Sequence, residues 1–347
     1  MLRRTFFSAA LLAGLAVAIG PGKQASADDA ADFYKGQTLH FIVGYSPGGG
    51  FDRYARMLAP HLEKATGATV VVENQPGGGG LTALNRLVNA DADGLSFMLI
   101  NGVPATLSQI VEAPAAQYDL TKLAWIGRVV AEPWVVLVSS KSPYKSLDDL
   151  MAAAKEGKTI TFAGIGRTDG PTDAASIFCE AMQISCKMVV GYKGSSEAAL
   201  AAIRGEVVGL AVSDRGAADY SQENGMIPIA VLDHRRSKLV PDVPTIFELR
   251  DLTDEQKFWI DYRADIASIG RAVVAAPGTP DDRLAFLRDA FQKVLTDPEV
   301  IAEGASSNHP IDYLSGQEEE KLVDNVLGSV STERLSAVRN VLLNKYF

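Results

Sequence analysis

The chain has 347 residues, 47% apolar and 22% charged, with 2 Cys, 4 His and a formal net charge of −9. That length suits two domains of ordinary size, and the normal apolar fraction excludes disorder, coiled coil and collagen. The acidic balance, with no Lys/Arg cluster, excludes a nucleic-acid track or an anionic membrane as partner.

The first segment reads as an export signal. Arg3 and Arg4 precede an apolar run over 6–19, and Ala25-Ser26-Ala27 offers small residues at the −3 and −1 positions. Cleavage is expected before Asp28, with 1–27 removed and the protein delivered to the periplasm. The apolar run falls short of the roughly 20 residues that span a bilayer. Arg3-Arg4-Thr5-Phe6-Phe7 also meets the core of a twin-arginine signal, so the export route stays open. No Cys follows the run to carry a lipid anchor. Without 1–27 the chain keeps 30 basic and 42 acidic residues, a net of −12. An anion bound by such a protein needs a local site of backbone N–H groups and one or two cations.

Strand-like and helix-like segments then alternate, which predicts an α/β fold with largely parallel sheets. A strand over 39–44 leads into a helix over 52–64, with Tyr54, Met57, Leu58 and Leu62 on one face. Strand 69–72, helix 82–89 and the apolar stretch 97–100 follow. Strands 124–130 and 134–139 are joined by the turn Ala131-Glu132-Pro133. A second series comprises helix 147–155, strand 159–163, helix 172–182, strand 187–191, helix 195–204 and strands 207–213 and 227–232. Pro241-Asp242-Val243-Pro244 breaks the pattern. Strand 272–276 and helix 282–295 resume it, and helical segments run on to 347. Two series predict two lobes, with ligand bound at the carboxyl ends of the strands. Cys179 and Cys186 sit on a helix and at the start of a strand; export favours a disulfide between them, against two buried thiols.

Four strand-to-helix loops carry the candidate chemistry. In Tyr45-Ser46-Pro47-Gly48-Gly49-Gly50-Phe51-Asp52, three glycines let a ligand approach the main chain, and the helix start adds free N–H donors. Asp52 is the expected N-cap. The loop lacks the Gly-Lys-Ser/Thr of a P-loop, and Arg53 stands where a dinucleotide fingerprint needs its third glycine. The second loop is Glu73-Asn74-Gln75-Pro76-Gly77-Gly78-Gly79-Gly80. The third, Gly164-Ile165-Gly166-Arg167-Thr168-Asp169-Gly170-Pro171-Thr172, adds hydroxyls and an Arg able to fork onto a carboxylate. The fourth is Tyr192-Lys193-Gly194-Ser195-Ser196, with Ser195 as a cap or ligand donor.

Ser-Pro-Gly-Gly-Gly-x-Asp after a strand, then Val-Val-Glu-Asn-x-Pro-Gly-x-Gly, resembles the substrate-binding proteins of tripartite tricarboxylate transporters, the Bug-type family. The likeness continues through Gly191–Ser195, Pro241-Asp242-Val243-Pro244-Thr245 and Ala276-Pro277-Gly278-Thr279-Pro280 and covers nearly the whole mature chain. It implies a two-lobed periplasmic-binding-protein fold of type II-like form with two crossovers. The first lobe would hold 28–131 plus 240–347, the second 132–239. It further implies that a carboxylate is held, partly through ordered water, by Ser46, Pro47, Gly48, Gly49, Gly50 and Asp52 of the first loop. Gly164, Gly166, Arg167, Thr168 and Thr172 would serve from the second lobe. Tyr192, Lys193, Gly194, Ser195 and Asp214 match cleft-edge positions. Phe51 replaces the family's commoner Thr and could stack on a planar ligand, and Arg167, Thr168 and Asp169 replace serines.

The implied function is capture of a small organic anion for the large and small membrane subunits of a tripartite transporter, by a monomer without cofactor or metal. A periplasmic sensor or scavenger without its own transporter is the alternative. An enzyme on the same scaffold is disfavoured: there is no Gly-x-Ser-x-Gly, and His40, His61, His234 and His309 lack zinc-ligand spacing.

Overall fold

A computed structural model describes residues 27–222, 225–328 and 330–347. The expected export signal lies outside the described residues up to position 26. Eleven strands are present among them: β1 (Thr38–Val43), β2 (Thr69–Asn74), β3 (Ser96–Asn101), β4 (Ala124–Val130), β5 (Trp134–Ser139), β6 (Ile160–Ala163), β7 (Cys186–Val189), β8 (Gly209–Ser213), β9 (Met226–Val231), β10 (Arg271–Ala275) and β11 (Leu314–Ser315). They form two sheets, ordered β11-β4-β10-β3-β1-β2 and β7-β6-β8-β5-β9. Helices cover both faces of each, so β3 is apolar over 97–100 and β4 is buried along its whole length, Arg128 included, rather than alternating.

Register decides where a ligand can sit. In the first sheet β1 runs parallel to β3, and Asn101 at the carboxyl end of β3 pairs with Arg271, which also pairs with Val130 at the end of β4. In the second, Trp134 at the start of β5 pairs with Ser213 at the carboxyl end of β8, and β8 runs parallel to β6, itself parallel to β7. The carboxyl ends of β1, β3, β6, β7 and β8 therefore all lie toward the connector 131–133. The chain crosses there once, and returns after β9 through the helix Asp254–Ile269 to β10. This is a two-lobed α/β architecture with two crossings.

Several helices are not foreseen from the pattern, and two of them hold the lobes together. Gly102–Ile110 carries a glycine and a proline in its first turn, which suits a helix start but hides the period. Asp254–Ile269 opens with a capping box on Thr253 and packs against both lobes. Leu107 and Ile110 of the first lobe, Trp259, Ile260 and Ile266 of this helix, and Phe178 and Met182 of the second share one buried cluster. Within it the fully buried Arg263 holds Asp173 at 2.7 Å and lies over the Trp134 ring.

The disulfide between Cys179 and Cys186 is present and ties helix Gly170–Met182 to β7. The division of 240–347 wholly into the first lobe does not describe its last residues. β7 is an edge strand, and its Met188 N–H donates to the Tyr346 carbonyl at 2.7 Å. An edge with free polar groups needs such a cover, and 341–347 supplies it.

Candidate functional site

The first glycine loop enters helix Gly50–Thr66 directly. The helix begins at Gly50, so Asp52 is its third residue and not the N-cap that the sequence suggests. Its carboxylate instead reaches back to accept from the Gly48 N–H at 2.8 Å and from Arg56 Nε at 2.9 Å. Burial alone would raise this carboxyl, but those donors outweigh it and hold it below the ordinary range. Gly48 turns the chain with φ +81°, where a side chain is strained. Residues 46–50 are exposed, so the loop's surface is open to solvent.

The second glycine loop buttresses the first. A Cβ on Gly44 would stand 2.6 Å from the Gly80 Cα, so the two backbones touch only because both lack side chains. The Tyr45 hydroxyl donates to the Gly79 carbonyl at 2.7 Å, and the Tyr45 ring stacks on Phe51 at 4.4 Å. Phe51 is thus already stacked within its own lobe.

Arg271, absent from the sequence-based set, is the cation at this loop. Its guanidinium lies 4.7 Å from the Phe51 ring centre and 5.0 Å from that of Tyr54. Its Nη1 stands 3.3 Å from where a Gly50 Cβ would project. Among the described residues Glu132 of the connector is its only carboxylate partner, at 3.3 Å, and the buried Nε has no hydrogen-bond partner. Arg53 and Arg215 lie close by. Burial lowers His309, and the fields of Arg271, Arg53 and Arg215 lower it further. Arg215 comes from the second lobe, and its Nη2 donates to the Asn308 carbonyl at 3.3 Å. Arg271 and Arg215, one from each lobe, thus stand at the connector of an acidic protein, and Arg53 joins them in acting on His309.

The second-lobe loops are more occupied than their sequences suggest. Asp169 caps helix Gly170–Met182, accepting from the Thr172 N–H at 3.1 Å and from the Gly166 N–H. The Thr172 hydroxyl also bonds to Asp169 and is fully buried. Arg167 is partly engaged at the far end of the chain: its Nη1 donates to the Leu343 carbonyl and its guanidinium lies 4.5 Å from the Phe347 ring centre. Gly164 is buried, whereas Thr168 is half-buried. In the fourth loop the cap position falls on Gly194, so Ser195 is the first helical residue and caps nothing. The Lys193 N–H is taken by Glu197 at 2.6 Å, and Tyr192 is half-buried. Among the described residues no hydrogen bond or ion pair joins 46–52 to 164–172 or 192–195.

Asp214 is buried beside the connector. Its backbone N–H donates to the Pro133 carbonyl, and its carboxylate accepts from Ser237 Oγ at 2.6 Å and from the Arg215 N–H at 2.8 Å. Burial pushes this carboxyl up, against the pull of those donors. It lines a cavity of about 220 Å³ bounded by Val130–Pro133 and by Arg215, Leu239, Ser268 and Ile311. Of the sequence-based ligand set, Asp214 alone lines this cavity, which lies at the connector and not at the glycine loops.

The family model of the tripartite tricarboxylate transporter family receptor matches residues 54–331. Protein BugT of Bordetella pertussis is 27% identical over 288 residues, 80% of this chain and 83% of BugT. A ligand-free TctC solute binding protein from Polaromonas superposes with a TM-score of 0.71 at 20% identity, over 89% of this chain and 99% of that one. Rpa4515 of R. palustris, solved with adipate, gives 0.64 at 18% identity, over 88% and 97%. At such identities the structural likeness speaks for the fold.

Proposed function

This chain belongs to the family of tripartite tricarboxylate transporter receptors, and from that premise we propose that it captures a small carboxylate anion between its lobes, in the periplasm, after cleavage before Asp28. The large and small membrane subunits of a tripartite transporter receive the ligand, and the protein acts as a monomer that performs no chemistry on it.

One observation carries the reading: the Arg271 guanidinium stands over the start of helix Gly50–Thr66, and among the described residues its Nε is unpaired and Glu132 is its one carboxylate partner. A helix start offers N–H donors and positive dipole, and the planar guanidinium adds a fork that fits a carboxylate. Ser46, Pro47, Gly48, Gly49, Gly50 and Phe51 form the first-lobe wall. Gly164, Gly166, Thr168, Tyr192, Lys193, Gly194 and Ser195 face it from the second. Asp52 and Thr172 serve as supports that fix the donors, and Asp214 borders the connector. Arg215 already reaches from the second lobe to the Asn308 carbonyl and adds a second cation near the same anion.

A thermal-shift panel of di-, tri- and aromatic carboxylates tests this, adipate included, since a ligand that binds the folded state raises the melting temperature. At least one member should shift it. Arg271→Gln should then weaken that ligand about ten- to a hundredfold by calorimetry, the loss for a charged hydrogen bond of roughly 1.5–3 kcal/mol. A flat panel, or full affinity in Arg271→Gln, refutes the assignment.

A further inference from the structure

The segment 332–347 touches both lobes and one of the proposed ligand loops. Its helix Thr332–Asn340 grips the first lobe through Arg339, whose Nε donates to the Ile110 carbonyl at 2.6 Å and whose Nη2 meets Glu112 Oε1 at 2.6 Å. Ile110 ends the helix Gly102–Ile110, so Arg339 satisfies a carbonyl that has no partner within that helix and places a cation at its negative end. Farther along, Arg334 pairs with Glu255 at 2.5 Å and lies over the Phe258 ring, which fixes the segment to the crossing helix Asp254–Ile269. Val338, Val341 and Leu342 are buried, so the segment is packed and not merely draped over the surface.

The last residues then grip the second lobe. Lys345 Nζ and the Tyr346 hydroxyl both reach Glu180 Oε2, at 2.5 and 2.6 Å, and the Tyr346 carbonyl takes the free Met188 N–H of β7. The Leu343 carbonyl and the Phe347 ring hold Arg167 from two sides. Arg167 belongs to the glycine-rich loop between β6 and helix Gly170–Met182. The base of that loop is held by the Gly164 N–H on the Val189 carbonyl and by Gly170 against Trp134, but its tip at 166–168 is held from outside by the Arg167 contacts, since Asp169 is spent on the Gly166 and Thr172 donors within it. β7 leads into the fourth loop, and Gly191 N–H donates back to the Ile165 carbonyl at 3.0 Å, so the two second-lobe loops move as one.

We propose that 339–347 is an interlobe strap and that Arg167 is a positioning residue: held by Leu343 and Phe347, it sets the 164–170 loop for its part in ligand capture. The loop's role in capture rests on the function proposed above, whereas the strap itself does not. Anchored on Ile110 and Glu112 at one end and on Arg167 and Glu180 at the other, the strap limits how far the lobes part.

Hydrogen–deuterium exchange on the full, unliganded chain tests the strap without any ligand. Phe347→Ala and Arg167→Ala should each speed exchange at 164–170 at least tenfold while β6 and β8 keep their protection. Phe347→Tyr, which retains the ring, should exchange like the parent. Arg339→Ala should leave 164–170 slow, speed exchange near 110–112, and increase the radius of gyration in small-angle scattering. Unchanged exchange at 164–170 in both loop variants overturns the positioning role, and so does a uniform rise across the second lobe, which would mean general loosening. An unchanged radius of gyration in Arg339→Ala overturns the limit on opening. If these shifts occur yet no carboxylate in the thermal-shift panel binds, the strap stands and the proposed ligand site falls.

Discussion

Two neighbouring glycines in the first loop meet different physics, and substituting them one at a time separates loop strain from ligand approach. Gly48 sits at φ +81° with no heavy atom within 4 Å of a Cβ, so Gly48→Ala costs only backbone strain. A left-handed L-residue costs roughly 1–2 kcal/mol, and relaxing that strain would also pull the Gly48 N–H from Asp52. Gly49 has φ −77° and an added Cβ would lie 3.4 Å from the Ser46 carbonyl oxygen, an ordinary contact. A poorer N-cap and a stiffer unfolded chain nearly cancel there, so Gly49→Ala should alter stability by no more than about 0.5 kcal/mol. Gly49→Val, however, fills the exposed surface over the helix start and should weaken carboxylate binding more than tenfold, well beyond its effect on folding. Urea unfolding followed by tryptophan fluorescence gives the stabilities, and calorimetry with the best ligand of the panel gives the affinities. Gly48→Ala as stable as the parent would refute the strain argument. Parental affinity in Gly49→Val would refute the approach of the anion to this backbone.

Two further outcomes follow from buried groups. Glu319 is fully buried, both its carboxylate oxygens lack hydrogen-bond partners, and Arg128 stands 3.8 Å away. Burial pushes it up to about 8 from 4.5, so the folded state holds a proton that the unfolded state releases. Stability on its account is complete below pH 4.5 and is lost as pH rises toward 8; Glu319→Gln should recover about 2–4 kcal/mol at pH 8 and little at pH 4.5, and equal gains at both would sink this. Replacing Cys179 and Cys186 by Ser should cost about 2.5 kcal/mol in the chain-entropy model, or roughly 4 °C in melting temperature, and an unchanged melting curve would argue against it.

The loops were legible because glycine is a local signal: each strand-to-helix junction announces itself in four or five consecutive residues. The details that failed depend on partners remote in sequence or on the precise start of a helix. Asp52 was read as the cap because glycines seldom begin a helix interior, yet Gly50 and Phe51 already lie in it. Arg167 looked like a free cation because Leu343 and Phe347 lie at the other end of the sequence. Arg271 went unseen for the opposite reason: a single Arg at the start of a strand carries no periodicity, and only the pairing of β10 between β3 and β4 brings it beside the connector and the first loop. The helices Gly102–Ile110 and Asp254–Ile269 escaped notice because one begins on Gly and Pro and the other is buried on several sides, which erases a simple stripe.

The same register explains how so acidic a chain can hold an anion. Over most of the surface the net negative charge is screened within about 8 Å at physiological salt, so a carboxylate near the connector feels mainly what stands beside it. Beside it are Arg271 and Arg53 from the first lobe and Arg215 from the second, gathered closely enough that all three act on His309. Glu132 pairs with Arg271 at 3.3 Å and Asp214 adjoins Arg215, so two carboxylates partly balance these cations. On the proposed site, a ligand carboxylate at the first loop would compete with Glu132 for Arg271, while Arg215 already reaches across from the second lobe to the Asn308 carbonyl. Ligand binding there and the interlobe contact of Arg215 therefore draw on one group of charges, which Glu132 joins to the connector between the lobes.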